Sequence, residues 1–233
     1  MDVLPPVSPS AAPAGHTPPS AVIGSSCAER LLMTEQRDLI PVLRAAPDRW
    51  FAHPTACPGW NVRDLLAHCA AALTRITQDQ VHDFSPACNQ RDVDDRQDWP
   101  IKKIIDELDD GYQAAGPVIS SSAGQLDVIG LGEWVHAGDV RAAWGLTPAY
   151  SAAGTDDALE LLATCSARRD TPLLIAHLPD RDLELGTWLP DQSYVADLVT
   201  DAETLLRLYT GRPVGDRPYV LSGATAQELV IYR

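Results

Sequence analysis

The sequence predicts an α+β protein in which a helical bundle is followed by a small α+β segment. Three observations carry that expectation. Apolar residues recur at helical spacing in four stretches before Gly145, helix-start signatures stand at the head of several of them, and beyond Thr147-Pro148 the pattern changes to short β-like runs separated by Pro and Asp. With 233 residues, 45% of them hydrophobic, the chain can bury one large core or two small ones. The change of pattern favours two units: a tail over 1–24, a bundle over 25–148 and an α+β domain over 149–233.

Residues 1–24 are rich in Pro, Ala and Ser with hardly any charge, a composition expected to stay disordered. Ser26 and Glu29 then form an S-x-x-E capping box, and Leu31, Leu32, Leu39, Ile40 and Leu43 recur at helical spacing, giving a first helix near 27–45. Pro54, Pro58 and Gly59 make 53–60 a loop. Asn61 is the N-cap of a second helix near 62–77, with an apolar stripe of Val62, Leu66, Cys69, Leu73 and Ile76 and with His68 at its border. The charged run 82–98 has no sustained period and reads as a long loop or irregular helix over one mouth of the bundle. Pro100 opens a third helix through Ile101, Ile104, Ile105, Leu108 and Tyr112 that ends at Gly116-Pro117, and a fourth covers about 126–144 before Gly145.

Past that point Asp156 to Arg168 reads as a helix, while 171–178, 182–186 and 193–199 read as strands. Thr200 and Glu203 form another capping box for a short helix ending at Gly211. The runs YVL (219–221) and ELVIY (228–232) close the chain as strands.

A formal net charge of −14, from 32 acidic and 18 basic side chains, argues against nucleic acid and anionic membranes as partners. No run approaches the length of a membrane span, and the N-terminus lacks the features of an export signal. Five cysteines (Cys27, Cys57, Cys69, Cys88, Cys165), scattered without C-x-x-C spacing, fit neither a disulfide framework nor a thiolate zinc site, so a reducing cytoplasm is the expected location. Cys69 reads as a core residue and Cys57 as a packed loop cysteine.

Glu133 and His136 interrupt the inward stripe of the fourth helix at i, i+3 spacing, where two side chains share one face. With His68 they supply two imidazoles and a carboxylate, the donors a catalytic zinc uses while keeping one position open. A metal-dependent enzyme is the leading reading. The plainer ones are a helix-surface histidine at 68 and a buried Glu–His pair at 133 and 136. Asp139 stands where it can fix the ring of a ligating histidine. Arg141 is a candidate for holding a carboxylate substrate, against the plainer role of a salt bridge between helices, and Arg207 or Arg212 could reach the cleft.

The run TACPGWNVRDLLAH (Thr55 to His68) and the later EWVHAGDVRAAWG (Glu133 to Gly145) resemble the mycothiol-dependent maleylpyruvate isomerase family. The closing ADLVTDAETLLRLYTGR and SGATAQELVIY look like that family's small C-terminal domain. The resemblance implies a DinB-like four-helix bundle with an appended α/β domain. It implies a divalent metal, usually zinc, held by His68, His136 and, as the carboxylate, Glu133. The family's usual spacing is Glu-x-x-x-His. Here Gly132 occupies that earlier place and Glu133 stands one residue nearer, so the carboxylate approaches from a different angle. The implied activity is isomerisation or S-transfer, in which a low-molecular-weight thiol, mycothiol, attacks a small electrophilic substrate. Arg141 and Arg212 are the substrate-binding candidates read from the residues themselves. The alternatives are a DinB-like binding or regulatory protein without catalysis, and a zinc-dependent hydrolase.

Overall fold

The computed structural model of the chain describes residues 25–81 and 83–232. The tail over 1–24, His16 and His82 lie outside the described residues. Seven helices come first: α1 (Cys27–Asp38), α2 (Ile40–Ala45), α3 (Val62–Thr77), α4 (Pro86–Asp94), α5 (Ile101–Ser121), α6 (Asp127–Ala143) and α7 (Thr155–Arg168). Strands β1 (Leu174–His177), β2 (Asp182–Leu185) and β3 (Ala196–Val199), helix α8 (Ala202–Tyr209) and strand β4 (Val220–Ser222) follow, giving the expected α+β class.

The long helices α1, α3, α5 and α6 pack around a shared apolar interior, with Leu31, Leu65, Leu73, Ile104, Leu108, Leu131 and Val135 all fully buried. In α6, Gly130 lets this packing close: a Cβ there would lie 2.6 Å from Ala28 Cβ on α1. The four-stranded sheet runs in the order β2-β1-β3-β4, with β1 and β3 parallel and both outer pairings antiparallel. Its inner face, carrying Leu174, Ala176, Leu185, Ala196 and Leu198, joins the same apolar cluster as the helices.

Several elements refine or differ from the sequence-based expectation. The first helix breaks at Leu39, because Pro41 in α2 has no N–H to continue the ladder. The run 82–98 contains α4, capped by Ser85, whose hydroxyl accepts from the Cys88 N–H. Helix α5 continues through Pro117 to Ser121, since Ala115 and Ile119 are both fully buried and this packing outweighs one lost bond. Helix α8 is capped by Asp201, whose carboxylate accepts from the Thr204 N–H at 2.7 Å, rather than by a Thr200–Glu203 box. The expected strand over 193–199 is confined to its last four residues. The closing ELVIY forms no strand: Leu229 and Ile231 are buried, and the Ile231 N–H donates to Tyr209 O at the end of α8. Its apolar run is satisfied by burial instead of by sheet pairing.

Candidate active site

Helix α3 owes its start to a reciprocal capping box. The Asn61 side chain accepts from the Asp64 N–H at 3.0 Å, and the Asp64 carboxylate accepts from the Asn61 N–H at 3.1 Å. The preceding loop folds back on itself: the Val62 N–H donates to His53 O, and the Thr55 hydroxyl donates to Trp60 O. Gly59, with φ at +83°, supplies the left-handed residue this turn requires. Cys57, Trp60 and His68 thereby line a cavity of about 550 Å³ together with Gly132, Glu133 and His136 of α6. Arg212, Tyr232 and Arg169, contributed by the C-terminal third, close it.

The two histidine rings lie 5.5 Å apart, nearly perpendicular, and Trp60 stands 5.0 Å from the His68 ring. Burial pushes the His68 pKa down to about 3, helped by the nearby His136 and Arg75. The ring is therefore neutral at ordinary pH. Burial also lowers the His136 pKa; the pull of Asp139 in the other direction is blunted because Arg212 neutralises that carboxylate. Burial works against the charge of Asp139, yet hydrogen bonds from His136 and Arg212 hold its pKa well below the usual carboxylate range.

An ionised carboxylate only accepts, so His136 Nδ1, 3.0 Å from Asp139 Oδ2, carries the ring proton and leaves Nε2 available to a ligand. Arg212 grips the same carboxylate with Nε at 3.1 Å and Nη2 at 2.7 Å, and the Tyr150 hydroxyl donates to its other oxygen.

Glu133 is fully enclosed, and its Oε2 has no hydrogen-bond partner. Burial raises its pKa to about 8, opposed only by contact with the Cys69 thiol, so the side chain is a neutral acid at pH 7. Cys57 Sγ lies 3.8 Å from His136 Nδ1, 3.6 Å from Asp139 Oδ2 and 3.7 Å from Arg212 Nη2. Burial first and Asp139 second push its thiol up to about 12, so this sulfur stays protonated.

The three residues singled out as ligands thus share one cavity. Two neutral imidazoles and an unpartnered carboxyl oxygen form a donor set suited to a divalent cation. Their donor atoms are not drawn together to within 4.8 Å. Among the described residues, the groups that reach this spacing are Cys57–His136–Asp139, beside the same cavity, and Cys27–Asp157–Glu160, where Arg30 already holds Asp157.

Arg212 reaches the cavity, as considered from the sequence, while Arg207 pairs with Glu203 at 2.9 Å and lies over the Tyr150 ring. Arg141 does not line the cavity: its guanidinium is committed to Glu35 of α1 by two contacts, one of 3.2 Å. It is set aside as a substrate-binding residue. Cys57, read from the sequence as a packed loop residue, is instead a cavity wall. Trp60, inside the Thr55–His68 run, was given no role of its own, and Tyr232 and Arg169 were missed because only the tertiary fold brings them to the cavity.

The fold and site define an α+β protein with a histidine- and glutamate-lined cavity between its helical part and its C-terminal third. Residues 32–116 match the family described as mycothiol maleylpyruvate isomerase N-terminal domain, a stretch that includes His68 and ends before α6. The chain is similar to the crystal structure of the mycothiol-dependent maleylpyruvate isomerase, with a TM-score of 0.59 and 12% identity, covering 85% of this chain and 93% of that one. It is also similar to a histidine-to-alanine mutant of that enzyme, with a TM-score of 0.53 and 11% identity, covering 82% and 95%. At these identities the likeness establishes the fold. No curated protein sequence matches. The family resemblance read from the sequence is borne out by these matches.

Proposed function

We propose that the protein is a mycothiol-dependent enzyme of the isomerase or thiol S-transferase type, in which His68, Glu133 and His136 hold a divalent metal, zinc by donor chemistry. The observation that carries the reading is the pairing of two neutral imidazoles with a buried, unpartnered Glu133 oxygen in a single cavity. When bound, the cation would lower the pKa of a thiol and stabilise its thiolate.

The residues of the chain supply the rest. Cys57 is held protonated, so the cavity does not provide its own nucleophilic sulfur, and an external thiol fits the need. Asp139, fixed by Arg212 and Tyr150, keeps His136 in the tautomer that offers Nε2. Arg212 sets a positive charge beside the cavity that suits an anionic group on thiol or substrate. With a conjugated cis-alkene, sulfur addition, bond rotation and elimination of the same thiolate give the trans isomer. With an epoxide or a leaving group, the C–S bond persists and an S-conjugate results.

Metal analysis of the purified chain, combined with turnover of electrophilic alkenes with and without mycothiol, tests the proposal. One zinc per chain and strictly thiol-dependent turnover are expected. Metal-dependent turnover that ignores the thiol would replace the reading with a hydrolase. The donor spacing beyond 4.8 Å favours, as a second reading, a scaffold that binds a small molecule without a metal. A metal-free, well-folded chain with no turnover would establish that one.

A further inference from the structure

The two cavity histidines are backed in parallel ways. Beside His136 stand Asp139 and Arg212, with Nδ1 to Oδ2 at 3.0 Å, Oδ2 to Arg212 Nη2 at 2.7 Å and Nη2 itself 3.3 Å from Nδ1. Behind His68 stand Asp92 of α4 and then Arg75, with Nδ1 to Oδ2 at 3.9 Å and Oδ2 to Arg75 Nη2 at 3.0 Å. The second stack is built from an element, α4, that a charged and aperiodic sequence does not announce. It is also incomplete, because His68 Nδ1 is shut off from solvent without a hydrogen-bond partner, while Asp92 Oδ2, equally buried, has only its ion pair with Arg75.

A buried ring nitrogen left without a hydrogen bond incurs a desolvation cost, and His68 Nδ1 faces the Arg75-paired oxygen of Asp92 across 3.9 Å, a gap too long for a hydrogen bond. An approach of about 1 Å makes that bond. Arg75 is itself well anchored: Nη1 donates to Asp83 O and to Cys88 Sγ, each at 2.7 Å, and the guanidinium lies 4.4 Å over the Phe84 ring. The arginine therefore holds Asp92 at the back of the ring in the way that Arg212 holds Asp139.

We propose that Asp92, held by Arg75, is a positioning residue for His68: it accepts the Nδ1 proton, fixes the ring as the Nδ1–H tautomer and presents a bare Nε2 to the cavity. The two carboxylates then deliver a matched pair of imidazole nitrogens, one from α3 and one from α6. The tautomer assignment stands on the geometry alone. Its consequence for metal binding rests on the proposed function.

Nitrogen-15 NMR of the imidazoles in the metal-free full-length protein at neutral pH tests the tautomer. Wild-type His68 is expected as Nδ1–H. Asp92→Ala should shift it to Nε2–H or a mixture while His136 stays unchanged as an internal control, and Asp92→Asn, whose amide oxygen accepts the same proton, should restore Nδ1–H in part. A wild-type His68 in the Nε2–H form overturns the proposal without any variant, as does an unaltered tautomer in folded Asp92→Ala. In a second arm, zinc or cobalt titration of wild type and Asp92→Ala should show affinity falling by about 10–100-fold. Equal affinities would detach Asp92 from the ligand site. A wild type that takes up no metal would refute the metal reading, and the tautomer arm would still decide the role of Asp92.

Discussion

Glu35 and Arg141 illustrate, away from the cavity, what enclosure does to a charge in this protein. The carboxylate is fully buried and its pKa is raised to about 7, burial outweighing the attraction and hydrogen bonds of Arg141. A folded-state value above the unfolded one means that the native state keeps a proton the unfolded chain has already released. The stabilising contribution is therefore complete below about pH 4.5 and is lost as the pH rises towards 7. Urea denaturation of wild type and Glu35→Gln should reflect this: relative to the variant, wild type loses stability between those limits, and a constant difference across them would contradict the raised value. Glu35→Ala should cost about 3–5 kcal/mol at pH 7, because it strands a buried guanidinium. In the cavity the same physics keeps His68 neutral and Glu133 protonated. His68→Ala or His136→Ala is expected to reduce bound metal sharply with an unchanged helical circular dichroism spectrum; full occupancy in both variants would remove these residues as ligands.

At the scale of elements, the helices that carry the site were the most legible part of the sequence. The span of α3 and its Asn61 cap follow from a single polar residue placed before a regular apolar stripe, and α6 is bounded as its pattern and Gly145 require. Helix α4 was legible only as one of two alternatives, a long loop or an irregular helix, because its contribution is made by Asp92 and by contacts to Arg75, not by an apolar face. The closing ELVIY misled for the opposite reason, since its apolar run is real but is buried without strand pairing, its backbone bonding to the end of α8 instead. Two element-level outcomes follow. Asn61→Ala removes one half of the capping box and should lower stability by about 1 kcal/mol, measured by thermal unfolding. Gly130→Ala places a Cβ 2.6 Å from Ala28 Cβ, so α1 and α6 must separate. A loss of about 1–3 kcal/mol is expected, and an unchanged melting temperature would show that the two helices yield without strain.

For the molecule as a whole, the separation into a bundle and an α+β domain near residue 148 meets a core that does not divide there. Leu31, Leu65 and Leu131 of the helices belong to one continuous apolar cluster with Leu174, Leu198 and Leu206 of the C-terminal third. Arg212 and Tyr232 cross back to close the cavity: Arg212 reaches Asp139 of α6, and the Tyr232 hydroxyl donates to Val128 O at 2.9 Å. A shared core couples the unfolding of the elements that line it, so calorimetry should record one transition whose van 't Hoff and calorimetric enthalpies agree. Leu198→Ala, which opens a cavity beneath β3, should lower that single transition by about 2–5 kcal/mol. It should also weaken ligand binding in the distant cavity, because Arg212 and Tyr232 depend on the same packed sheet and helix. Two resolved transitions, with only the smaller one moved by Leu198→Ala, would restore the picture of independent domains and confine the site to the helices.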